Sequence, residues 1–144
     1  MNRTHAMALL SLTALIGATA STTLAQERLR AGLWEMTTTK GGQVINTGTH
    51  CFTAEDARSA NGDAKTLRDA SEATFAEASC KVKDMTVTSS TVSYVVECGS
   101  GADAHTLSAV ATYRGDTVES QMTLKRATMT ETTTSKGHRV GACP

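Results

Sequence analysis

From Cys80 to the C-terminus the chain alternates apolar and polar residues with a period of two, and turn residues break the alternation at near-regular intervals. Only an extended strand sends successive side chains to opposite faces, so this half of the chain is committed to β structure with one face buried. Lys81 to Thr88 and Thr91 to Cys98 flank Ser89-Ser90 and read as a hairpin. Thr106–Tyr113 and Thr117–Lys125 flank Arg114-Gly115-Asp116 and read as a second. Leu107, Ala109, Ala111 and Tyr113 share one face of that hairpin, with Val118, Met122 and Leu124 in register on its second arm. Ala127-Thr128-Met129-Thr130 continues as a further strand, and Gly137 and Gly141 bracket a last short extended piece ending at Cys143.

The first half carries two more strands. Gly32–Thr38 places Trp34 and Met36 on one face, Lys40-Gly41-Gly42 turns the chain, and Gln43 to Cys51 returns. At Thr53 the pattern changes. A hydroxyl followed by Ala54-Glu55-Asp56 supplies an N-cap and first-turn acids, which predicts a short helix over Ala54–Ala60 stopped by Asn61-Gly62. Residues 63–79 contain only Leu67 and Phe75 as large apolar groups, a composition compatible with a weak helix or with a loop. The fold expected is mainly β: an antiparallel meander of seven or eight short strands, as a curved sheet or small barrel, with one short helix after the second strand. Only five aromatic residues, Trp34, Phe52, Phe75, Tyr94 and Tyr113, are available beyond residue 25, so the apolar core is thin.

Disulfides are the expected supplement. Cys51, Cys80, Cys98 and Cys143 are 29, 18 and 45 residues apart, whereas zinc ligands normally come in close pairs. The hairpin centred on Ser89-Ser90 brings Cys80 opposite Cys98, which leaves Cys51 to fasten the tail at Cys143. A rival pairing, Cys51 with Cys80 and Cys98 with Cys143, needs no hairpin.

Residues 1–25 read as a secretory leader: Arg3 without an acid, an apolar run over Ala8–Ile16, and small residues up to Ala25. Cleavage is expected after Ala25, or alternatively after Ala20. The apolar run is too short to span a bilayer, and no later run approaches that length. The mature chain, residues 26–144, is then a single periplasmic or secreted domain. It holds 13 basic and 14 acidic residues, a balance that argues against nucleic acid as a partner.

No pattern of residues rises to a catalytic, cofactor or metal site. His50, His105 and His138 are widely separated and lack paired ligand spacing, and no serine sits on a Gly-x-Ser-x-Gly elbow. Arg114-Gly115-Asp116 spells an integrin-recognition tripeptide but is first a hairpin turn. The Thr133-Thr134-Ser135 stretch, with Thr128, Thr130 and Thr132 before it, reads as an edge strand kept polar against aggregation rather than as a surface for a partner or polysaccharide. Trp34, Met36, Tyr94 and Tyr113 are core residues that would line a small apolar pocket if the sheet curls.

Gly32-Leu33-Trp34-Glu35-Met36-Thr37, Cys51-Phe52-Thr53-Ala54-Glu55-Asp56, Cys80, Cys98, Tyr113-Arg114-Gly115-Asp116, Met122-Thr123-Leu124 and the ending Gly137 to Pro144 form an ordered set of landmarks. In this order they resemble the proteobacterial domain-of-unknown-function family 3617, exported proteins with no established activity. The resemblance spans roughly residues 29 to 144. Ala54 stands where that family more often has proline, and Ala142 where it has an acid; the first change weakens the helix start. The resemblance supports fold and compartment and implies no catalytic residue. Two functions are therefore expected: a non-enzymatic binding module for a small apolar ligand or a protein partner, or an envelope accessory protein without a ligand.

Overall fold

Threonine, valine and tyrosine, stiff at χ1 or broad in the ring, fit a pleated surface and dominate the long extended runs of this chain. The computed structural model describes residues 27–144; the expected leader and both expected cleavage sites lie outside the described residues. Seven strands form: β1 (Gly32–Lys40), β2 (Gln43–Phe52), β3 (Cys80–Val87), β4 (Thr91–Cys98), β5 (His105–Tyr113), β6 (Thr117–Arg126) and β7 (Met129–Gly141). They make one antiparallel sheet in the order β2-β1-β7-β6-β5-β4-β3, open at both edges. It is a meander whose last strand folds back onto the first. No helix among the described residues is long and apolar enough to cross a membrane.

Both expected hairpins form in the expected register, with Cys80 opposite Cys98 and Tyr113 opposite Val118. Cys80 and Cys98 lie at bonding distance with Cα atoms 4.0 Å apart, and Cys51 and Cys143 likewise at 5.4 Å. The rival cysteine pairing is not formed.

Three details of the strand reading are corrected. Residues 127 and 128 are a tight turn, with Ala127 at φ 47°, and not the start of a strand. From Met129 to Gly141 the chain is one thirteen-residue strand rather than two pieces. That strand lies between β1 and β6, so its threonines are not on an edge. Alternation puts Thr130, Thr132 and Thr134 on the outer side of the sheet, while Thr133 shares the inner face with Gly137.

Two helices join β2 to β3: α1 (Ala54–Ala60) and α2 (Ala64–Ala76), the latter within the segment left open by the sequence. Thr53 caps α1 although Ala54, not proline, opens the helix. Its hydroxyl accepts from the Asp56 backbone N–H at 3.1 Å, while Asp56 accepts from the Thr53 N–H at 2.8 Å. Asp63 caps α2 by accepting from the Thr66 N–H at 2.7 Å. Phe75 of α2 reaches Tyr94 of β4, their ring centres 5.7 Å apart. The helices therefore cover the sheet face that carries Trp34, Met36, Tyr94, Tyr113 and Val118, here called the inner face.

Packing on that face has two centres: Val96, fully buried toward the Cys80–Cys98 end, and a cluster at the opposite end. Trp34 is fully buried with Leu29 and Val118, against Met36, Phe52, Ala60 and Tyr113. Its indole N–H donates to the Arg30 carbonyl at 3.0 Å. The segment before β1 is pinned across this end. Asn61 bonds both the N–H and the carbonyl of Leu29, at 3.0 and 2.8 Å. Arg30 pairs with Asp116 at 3.2 Å, and Arg139 donates to the Ala31 carbonyl at 2.9 Å.

Candidate functional site

Small residues in the middle of the inner face leave it hollow. On β5 that face presents Ala109 and Ala111, and on β7 Gly137, where a larger protein core would place branched side chains. A Cβ at Gly137 would run into Met36 and Val118, so the glycine lets Met36 lie flat across β7. The result is a groove of about 510 Å³ between the sheet and α1. Its floor is Ala109 and Ala111. Tyr94 and Val92 rise on one side, Met36 and Phe52 on the other, with Tyr113 and Leu29 toward the pinned end. Met122 lies at the open part and is 42 % exposed.

Of the four residues singled out for a pocket, Met36, Tyr94 and Tyr113 line this groove together. Trp34 does not. At 0 % exposure it lies in the packed cluster at the groove's end and supports Met36 and Phe52 from there. Phe52 meets it edge-on, with ring centres 6.0 Å apart.

The polar groups of the groove are few and mostly at its rim. His50, Asp56 and Ser59 come from the end of β2 and from α1, and Ser120 and Gln121 from β6. His50 stacks edge-on against Phe52 at 4.5 Å. Side-chain and backbone hydrogen bonds with Thr53 hold the Asp56 carboxyl below its ordinary pKa, with a smaller lowering from His50. Inside the groove, the Tyr94 and Tyr113 hydroxyls have no hydrogen-bond partner among the described residues. Burial raises the pKa of both; for Tyr113 the charge of Arg28 opposes the rise and Tyr94 adds to it.

Arg28 was not singled out by the sequence. It is 8 % exposed, and its guanidinium donates to the carbonyls of Ala60 at 3.1 Å, Thr88 at 2.7 Å and Gly62. Ala60 ends the helix that follows edge strand β2, and Thr88 follows edge strand β3. One side chain thus ties the two sides of an open sheet together, closing this end without strand pairing. Alternation places His50 and His138 on opposite faces, because they pair with the successive residues Trp34 and Glu35. His105 instead sits beside the Asp103 carbonyl at 2.9 Å. Among the described residues no three His, Cys, Asp or Glu side chains converge as metal ligands. Arg114-Gly115-Asp116 is the β5–β6 turn, with Gly115 at φ 69° and Asp116 engaged by Arg30.

A family model described as "Protein of unknown function (DUF3617)" matches residues 29–143. The chain belongs to the DUF3617 family. The DUF3617 match begins at Leu29 and ends at Cys143, so it takes in both cysteine pairs and the whole groove, while Arg28 stands one residue before it. No curated protein and no solved structure matches the chain.

Proposed function

We propose that this is an exported, non-enzymatic binding module that holds a small apolar ligand in the groove between its sheet and helix α1. The observation that carries the reading is the groove itself, about 510 Å³ over Ala109 and Ala111. Small-ligand sites span roughly 300–1,000 Å³ and are apolar with a few polar groups at the edge, and this groove has both properties. A domain of this size buries little surface and gains from every filled volume. Leaving alanines at the centre of its inner face forgoes stability that branched side chains would supply, and a bound ligand restores it by binding the folded state alone. Export is supported by the leader-like residues 1–25 and by four cysteines in two pairs, which suits the periplasm or the exterior. The histidines stand apart on different faces and turns, which supports a role without catalysis.

A specific observation favours a second reading, a protein-partner or structural role in the envelope. Residues 43–50 of edge strand β2 contain no Lys, Arg, Asp or Glu, and Val44 and Ile45 are 62 % and 57 % exposed. The opposite edge, β3, is bulged between Val82 and Asp84 and carries Lys81, Lys83 and Asp84. Charge and bulges guard an edge against pairing; β2 is also bulged, at Ile45 opposite Thr38 and Thr39, but lacks the charge. A partner's strand could add there.

Native mass spectrometry of protein purified without detergent, joined to titration with an apolar fluorescent dye, tests the first reading. A small apolar adduct or saturable dye binding is expected, and Ala111→Trp, which fills the groove floor, should remove it. Absence of both adduct and dye binding in a folded protein would contradict the ligand reading and leave the edge-strand reading.

A further inference from the structure

The sheet side of the groove is built by three neighbouring strands. Val92 and Tyr94 come from β4, Ala109 and Ala111 from β5, and Ser120 and Met122 from β6. Ala111 lies opposite Ser120, so small side chains floor both β5 and β6. Neighbouring strands stand about 4.8 Å apart, which makes this side about 10 Å across from β4 to β6. A single alkyl chain would cover one strand of that width and leave the other without contacts, and a gap forfeits the dispersion attraction of the atoms that line it. Phe52, Tyr94 and Tyr113 share the lining with the thioethers of Met36 and Met122. Aromatic rings and thioethers gain from an aromatic partner beyond what buried area supplies.

Among the described residues no Lys or Arg lines the groove. Its one carboxylate, Asp56, stands at the rim beside His50, where Oδ2 accepts from both the N–H and the hydroxyl of Thr53 at 2.8 Å. An anionic guest would shed its water with no lysine or arginine to meet it, and a cationic one would find the carboxylate already engaged in a helix cap. We infer that the groove's occupant is an uncharged, planar fused-ring aromatic compound, lying over Ala109, Ala111 and Ser120 with α1 against its other face. The inference rests on the proposed apolar-ligand function and adds the shape and charge of the occupant.

Titrating the protein into pyrenemethanol or pyrenecarboxylate, followed by pyrene fluorescence, compares one fused ring without and with a charge. Displacement of pyrenemethanol by decanol compares the ring with a single chain. Pyrenemethanol should bind about tenfold or more tighter than either of the others. Ser120 is half-buried on the floor, and Ser120→Leu fills the β6 half of it while leaving the β5 half open. This variant should weaken pyrenemethanol by about tenfold and decanol by less than about threefold; Ser120→Val makes the same test with a smaller filling if the leucine variant does not fold. Decanol or pyrenecarboxylate binding as tightly as pyrenemethanol, or an unchanged pyrenemethanol affinity in the folded Ser120 variant, would overturn this inference while leaving an apolar-ligand function standing. Absence of binding by all three to the folded parent protein would overturn both.

Discussion

Replacing Cys51 and Cys143 together by alanine removes the bond that holds the last residues of the chain to edge strand β2. The two residues are 92 apart in sequence, so the chain-entropy relation assigns the bridge about 4.7 kcal/mol at 25 °C. Cys80 and Cys98 are 18 apart, and the same relation gives about 3.2 kcal/mol. The order is reinforced by the structure. Cys80 and Cys98 sit in neighbouring strands that remain hydrogen-bonded without the bridge, whereas β1 lies between Cys51 and the tail that carries Cys143. With an unfolding entropy of roughly 2.1 cal/mol/K per residue, the melting temperature should fall by about 19 °C for the Cys51/Cys143 pair and about 13 °C for the Cys80/Cys98 pair. Scanning calorimetry without reductant measures both. If the Cys80/Cys98 double variant loses more than the Cys51/Cys143 one, the reasoning from loop length and strand support is refuted.

Gly137→Ala should destabilise the fold by about 1–3 kcal/mol, since its new methyl collides with Met36 and Val118 in a packed layer; a denaturation midpoint equal to that of the parent protein would count against the packing described. Trp34→Ala should lose about 3–5 kcal/mol, because it empties the fully buried end of the inner face and leaves the Arg30 carbonyl without its donor. Asp56 and Asp63 have lowered pKa values from hydrogen bonds to Thr53 and Thr66, so their stabilising effect is present above the unfolded carboxylate range of about 4 and is lost as pH falls through the lower folded values. The helical circular-dichroism signal should decline in that window, and an Asp56→Asn/Asp63→Asn variant should flatten the decline. Tyr94 and Tyr113 have raised pKa values, so their contribution to stability is complete below the unfolded value of about 10 and lost as pH rises through the folded ones; absorbance at 295 nm should show both titrating late, and two ordinary midpoints would contradict their burial.

The strand pairing was legible because each hairpin announces itself twice, by alternation and by its turn. Val92, Tyr94 and Val96 could face only one side once Ser89-Ser90 was taken as the turn, and the cysteine pairing followed from that register. Helix α2 was not legible, since Leu67 and Phe75 alone give too little periodic signal and the helix is held instead by the Asp63 cap and by Phe75 against Tyr94. The β6–β7 turn was missed because Ala127 takes a positive φ without being glycine or asparagine, so nothing in its type marks a turn. For the groove, the aromatic and methionine walls were visible, but the floor is made of what is missing. Ala109 and Ala111 read as apolar-face positions and Gly137 as the bracket of a short extended piece; they become a cavity only when the topology sets β5 and β7 on either side of β6. Arg28 carries no pattern at all. A single arginine acquires its role only when the ends of α1 and β3 are brought within reach of it.

The groove's occupancy can be read directly from methionine methyl groups. Met36 and Met122 line the groove, whereas Met85 and Met129 do not, so ¹³C-methyl-methionine NMR spectra recorded during addition of pyrenemethanol locate the ligand within the molecule. Saturable shifts of the Met36 and Met122 signals, with Met129 unmoved, are the outcome expected of a ligand held over Ala109 and Ala111. Signals that do not move, or that move equally at Met129, would contradict a binding function for this groove.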